Sequence, residues 1–164
     1  VSYLSRLAAR EYCSWLTRRG QALRPARRYR LPTETEWEWA CRGGNPGRFC
    51  YGDDARYARF FAKCEGVTEN QYSVANRMPN PYGLFDMHGG LWELCESFYG
   101  WDEQTGEFLS YKDPTTGEKR IYFAVRGGAF YSPATRCRSA QRNRTTHEGE
   151  GEFTGFRVVM ELLP

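Results

Sequence analysis

The stretch Asn80-Pro-Tyr-Gly-Leu-Phe-Asp-Met-His-Gly-Gly-Leu-Trp-Glu-Leu-Cys95 constrains this chain more than any other segment. A Pro/Gly turn runs directly into closely spaced oxygen donors and large apolar side chains, so the backbone must bend sharply while it delivers residues of buried type to an interior. Two carboxylates, Asp86 and Glu93, flank a glycine turn whose carbonyls can point inward. That is the donor chemistry of a hard cation such as calcium, which takes about six to eight oxygens in a flexible shell. The competing reading is plainer: the same carboxylates cap a turn and pair with arginines.

Composition narrows the function classes. The 164 residues suffice for one domain with its own core, and 23 basic against 20 acidic residues leave a net charge of +3. This balance lacks the concentrated positive footprint of a nucleic-acid domain, so no nucleic-acid partner is expected. No apolar run approaches a membrane span, and Val1-Ser-Tyr-Leu-Ser5 lacks the order of a signal peptide. The chain opens without Met in an amphipathic segment, which suggests a piece of a longer protein. Six cysteines, Cys13, Cys41, Cys50, Cys64, Cys95 and Cys137, show no Cys-x-x-Cys and no histidines at zinc spacing. They read as reduced, buried thiols, which favours the cytoplasm. His88 reads as a hydrogen-bonded structural residue, and His147 as exposed.

Along the chain, Leu4, Leu7, Ala8, Tyr12, Trp15 and Leu16 recur at offsets of three and four, predicting a helix over 5–19 with these side chains on its inner face. A basic loop follows from Gln21 to Arg30, read as solvated surface. Thr33 and Glu36 form a Thr-x-x-Glu capping box behind Pro32, opening a second helix that buries Trp37, Ala40 and Cys41 and stops at Gly43-Gly44. Residues 45–79 are irregular in pattern, and 99–118 read as a polar loop or hairpin. Ile121-Tyr-Phe-Ala-Val125 and Phe156-Arg-Val-Val-Met160 have strand character. Two helices, short strands and long loops define an α+β domain.

Three blocks in this order, Arg30-Leu-Pro-Thr-Glu-Thr-Glu-Trp-Glu-Trp-Ala40, the central stretch, and Arg126-Gly-Gly-Ala129 through Arg138-Ser-Ala-Gln-Arg-Asn-Arg144 to Gly155-Phe-Arg-Val-Val159, resemble the sulfatase-modifying-factor family, whose founding activity is the formylglycine-generating enzyme. The resemblance spans nearly the whole of 1–164. It implies a C-type-lectin-like fold, with irregular loops on small antiparallel sheets, here without the strands that usually precede the first helix. It also implies a structural calcium ion held by Asp86, the carbonyls of Gly89 and Leu91, and Glu93. Gly90 stands where the family usually has Asn.

The family's oxidase uses copper held by two cysteine thiolates just after a Gly-Gly-Ser turn, sulfur being suited to Cu(I). Counting from Gly128, the first cysteine position falls on Ser132 and the second on Cys137, while Ala129 replaces the turn serine. Copper is therefore not expected, nor a catalytic residue. The reading is a calcium-stabilised, non-catalytic bacterial binding module. Its recognition surface for a protein or small-molecule ligand is assigned to Phe130, Tyr131, Ser132, Arg136, Gln141, Asn143, Arg144 and His147. The alternatives are a formylglycine-type oxidase acting on a protein cysteine, and a sensory or adaptor domain of a larger bacterial signalling protein.

Overall fold

The computed structural model describes residues 4–23, 25–65, 73–102, 107–108, 111–112, 117, 119–146 and 153–163. Helix α1 (Arg6–Gly20) is opened by Ser5, whose hydroxyl accepts from the Ala8 N–H at 3.2 Å. Strand β1 (Arg27–Arg30) leads into helix α2 (Glu34–Arg42), where the Thr33/Glu36 capping box forms with both arms present and Gly43 closes the helix in the left-handed conformation. A short helix α3 (Ala58–Phe61) runs into β2 (Ala62–Lys63), and β3 (His88–Gly89) precedes the long β4 (Trp92–Tyr99).

Two small antiparallel pairs follow, β5 (Trp101–Asp102) with β6 (Glu107–Phe108), and β7 (Tyr111–Lys112) with β8 (Lys119–Arg120). Strands β9 (Tyr122–Arg126), β10 (Arg142–Thr146), β11 (Thr154–Gly155) and β12 (Val159–Leu162) complete the order. The central sheet runs β10-β9-β4-β11, and β12 pairs with β1. Most pairings are antiparallel, as expected, and β11–β4 and β2–β3 are parallel. Each of these two joins segments remote in sequence, so neither is a hairpin. The closing strand is displaced: Phe156 to Val158 precede it.

Alternation along β4 and β9 builds a core on both faces of the central sheet. Trp92, Leu94 and Val125 join Ala9 and Cys13 of α1, whereas Cys95 and Ala124 join Trp37 and Cys41 of α2. Trp37 is 1% exposed, and truncating such an aromatic typically costs about 3–5 kcal/mol. The inner face of α1 is not the predicted one. Arg6, Ala9, Cys13 and Gly20 are buried, while Leu7, Tyr12 and Trp15 are exposed. Small side chains let the helix lie close to β1: a Cβ on Gly20 would come 2.8 Å from the Arg27 carbonyl oxygen. Arg6 is kept inside by its 2.8 Å ion pair with Glu96 and by stacking on Phe123.

Candidate functional site

The site region is built where the central stretch meets the Gly127-Gly128 turn. The Gly89 N–H donates to the Gly127 carbonyl, Gly90 to Lys63, and Phe130 to the Gly90 carbonyl, all within 2.8–2.9 Å. Gly89 sits at φ +83°, and an added Cβ would fall 1.9 Å from the Lys63 carbonyl oxygen, so only glycine fits. The loop after Gly128 therefore leaves from a fixed backbone junction.

Within that loop, Ser132 is used internally. Its hydroxyl accepts from the Ala129 N–H at 3.2 Å, its own N–H donates to the Ala129 carbonyl, and its carbonyl accepts from Glu65. At 4% exposure it is not part of an accessible face. A single helical turn over Ala134–Arg136 then delivers Cys137 beneath Gly128. Cys137 does not stand alone. It is buried in one cluster with Cys64, Ala58 and Ala62, and hydrogen bonding between the two thiols lowers the Cys64 pKa while raising that of Cys137. Sequence spacing could not pair these two cysteines, because nothing local marks contacts between distant segments.

Tyr131 is 47% exposed and lies edge-on to Phe153 at 4.7 Å, with Phe130 5.5 Å from both rings. Asn143 and Arg144 are exposed on β10, where Arg144 lies over Tyr122. Phe153 leads into β11, so the proposed recognition residues divide between opposite edges of the central sheet. Arg136 is exposed. Gln141 is half-buried, its carbonyl accepting from the buried Arg126. His147 lies outside the described residues.

An additional feature escaped the sequence reading: Trp39, 65% exposed and 4.9 Å from the Tyr82 ring, borders a groove of about 470 Å³ with Glu34, Glu38, Arg42 and Arg142. Its position two residues from Trp37 on α2 was the available signal, since a helix turns such neighbours to different sides.

The central carboxylates face cations of the protein itself. Glu93 accepts from the Trp37 indole N–H at 2.6 Å and from both Nε and Nη2 of Arg157. Asp86 lies 3.1 Å from the Lys63 ammonium and accepts from the Ala75 N–H at 2.7 Å. No cluster of three or more His, Cys, Asp or Glu side chains suited to a metal occurs among the described residues. The two carboxylates assigned to calcium, Asp86 and Glu93, thus have the right donor chemistry, but as placed each is ion-paired to a cation of the protein itself.

Burial keeps the other core thiols protonated, with Cys41 pushed up to about 12 and Cys50 to about 11. Access is as restrictive as ionisation: all six cysteines are buried, and a reactive thiolate must be reached by its substrate.

These features are those of a known family. A family model described as "Sulfatase-modifying factor enzyme 1-like domain" matches residues 1–162, and the chain belongs to that family. Among curated proteins it is 34% identical over 136 residues to serine/threonine-protein kinase pkn1 of Chlamydia pneumoniae, covering 81% of this chain and 21% of the kinase. It is 27% identical over 172 residues to the formylglycine-generating enzyme of Mus musculus, covering 93% of this chain and 42% of the enzyme. The chain thus spans less than half the length of either relative. The fold is shared with PvdO from Pseudomonas aeruginosa, at a TM-score of 0.78 and 22% identity, over 99% of this chain and 62% of the other.

His88 supplies a pH signature for the junction. Its Nδ1–H donates to the Cys137 carbonyl at 2.7 Å and its Nε2 accepts from the Cys50 N–H at 3.2 Å, which fixes the neutral tautomer. Burial pushes its pKa down to about 4. In the unfolded chain imidazole titrates near ~6.5, so the unfolded state binds more protons between these values. Stability is complete above about pH 6.5 and falls by about 3 kcal/mol as pH drops through this window towards 4. Urea midpoints measured between pH 7 and 4.5 are expected to decline in the native protein and to decline less steeply in His88→Gln. Equal slopes would contradict this role.

Proposed function

We propose that this domain is a non-catalytic binding module that engages a protein or small-molecule ligand through the loops after Gly128. The observation that supports it most directly is Ser132, buried and hydrogen-bonded to Ala129 at a position where oxidase chemistry needs an accessible thiolate. Beside it, Tyr131 projects a large ring from a backbone pinned at Gly90, a rigid aromatic contact on a fixed support. Placement as an adaptor or sensory domain of a larger signalling protein is supported by the match to one fifth of a bacterial kinase. The oxidase alternative draws on the Cys64–Cys137 thiol pair, and the complete burial of both sulfurs weighs against it.

Binding is tested by affinity capture and by titration of whichever ligand is recovered. Tyr131→Ala is expected to weaken it by about 2 kcal/mol if the ring is a hot spot, with the fold retained and the melting temperature only slightly lower, through loss of the ring contacts with Phe130 and Phe153. Unchanged affinity in a folded Tyr131→Ala, Arg144→Ala double variant would refute this placement.

Calcium at Asp86, Gly89, Leu91 and Glu93 is a separate proposal, supported by the donor chemistry and by family membership. The ion would have to take Glu93 from Arg157 and Asp86 from Lys63. A native-state ligand raises stability in proportion to the logarithm of its concentration over Kd. Melting temperature is therefore expected to rise with added calcium and fall with chelator, and to respond less in Glu93→Gln. A melt indifferent to both would leave Arg157 and Lys63 as the counter-cations of these carboxylates.

A further inference from the structure

The basic segment that the function above does not use forms one wall of a cavity. Between α1 and β1 lies a groove of about 390 Å³ lined by Arg10 and Arg18 of the helix and Arg28 and Arg30 of the strand, together with Thr17 and Glu96. Of the four guanidiniums only Arg30 is committed. It donates to Glu36 at 2.6 and 2.7 Å and to Glu161 at 2.5 Å, and its hydrogen bond holds the Glu36 carboxyl down at about 2.

The other three are not. Arg10 approaches Glu96 only to 3.7 Å, and Glu96 already pairs with the buried Arg6 at 2.8 Å. Arg28 approaches Glu161 only to 3.8 Å, and Glu161 is taken by Arg30. Arg18 has no ion pair or hydrogen bond among the described residues. Arg10 and Arg28 are more than half exposed. The Thr17 hydroxyl is bonded to Cys13 and Tyr29 and that of the exposed Ser14 to the Arg10 carbonyl, so the groove's available charged donors are these guanidiniums.

We propose that this groove binds an extended acidic peptide segment, whose carboxylates complete the hydrogen bonding of Arg10, Arg18 and Arg28. Guanidinium forks match carboxylates bidentately, and such charge-assisted bonds are about twice as strong as neutral ones. The spacing selects a chain over a point anion. Arg10 and Arg18 are eight helical positions apart, about 12 Å along the axis, which an extended peptide covers in roughly four residues at ~3.3 Å each. A single phosphate cannot span both. The surface shares no residue with the loops after Gly128, so its failure leaves the reading of those loops untouched.

The test is titration of the folded protein with hexaglutamate, with tripolyphosphate and hexalysine as separate arms, at low and at physiological salt. Saturable binding of hexaglutamate is expected, weaker at higher salt as the Debye length shortens to about 8 Å. It should weaken at least about tenfold in the Arg10→Ala, Arg18→Ala, Arg28→Ala triple variant, because those side chains supply the contacts. A control triple, Arg48→Ala, Arg56→Ala, Arg59→Ala, removes the same charge elsewhere and should bind as the native protein does. Melting curves are expected to change little in the first triple, since its side chains make no hydrogen bonds among the described residues and the ion pairs of Arg10 and Arg28 are long and exposed. The proposal is overturned by absence of saturable hexaglutamate binding, by equal loss in both triples, or by binding of tripolyphosphate without the peptide.

Discussion

The structure depends on one close approach of backbone to backbone. At Gly89 and Gly90 the central stretch is squeezed between Lys63 on one side and Gly127 on the other, with hydrogen bonds in both directions. A side chain at Gly89 would occupy the Lys63 carbonyl, and one at Gly128 would fall 2.6 Å from the Cys137 sulfur. Because no methyl group fits, three segments remote in sequence are locked at fixed separation. Three consequences follow from this junction: the parallel β2–β3 pair, the orientation of His88 between Cys50 and Cys137, and the departure angle of the loop carrying Tyr131.

Charge then ties the helices to that junction. Glu93 gathers Trp37 from α2 and Arg157 from the segment before β12. Arg126, 1% exposed, stacks on Trp37, pairs with Glu34 and Glu38, and donates to the Gln141 carbonyl. Ion pairs buried to this degree are weak evidence of net stability, yet removing one partner strands the other at a cost of about 3–5 kcal/mol. Their role here is to specify how α2, β9 and the loop at Gln141 meet. Stiffness of this kind suits a scaffold that presents loops.

What the sequence made legible was local. The Thr33/Glu36 capping box, the burial of Trp37 and Cys41 with Ala40 partly buried beside them, and the strand read at Ile121–Val125 and found at Tyr122–Arg126 each rest on neighbours within a few residues. The inner face of α1 was misread because periodicity weighs apolar bulk, whereas this helix is drawn in by Ala9, Cys13 and Gly20 and leaves Trp15 outside. Pairings such as Arg157 with Glu93 and Cys64 with Cys137 have no local signature, so only the fold could bring them together. The same limit explains why Phe130 and Arg144, close in sequence, occupy opposite edges of the sheet.

In the function proposed above, this copy of the family fold presents a surface rather than an oxidising centre. Ser132 closes a turn, and the neighbouring sulfurs of Cys64 and Cys137 are sealed from solvent. The most direct test is to incubate the reduced protein with copper, oxygen and a cysteine-containing sulfatase peptide, and to follow the peptide by mass spectrometry. The cysteine is expected to persist unchanged. Turnover of that cysteine to formylglycine, lost when Cys137 is replaced by alanine in a protein that still folds, would contradict it.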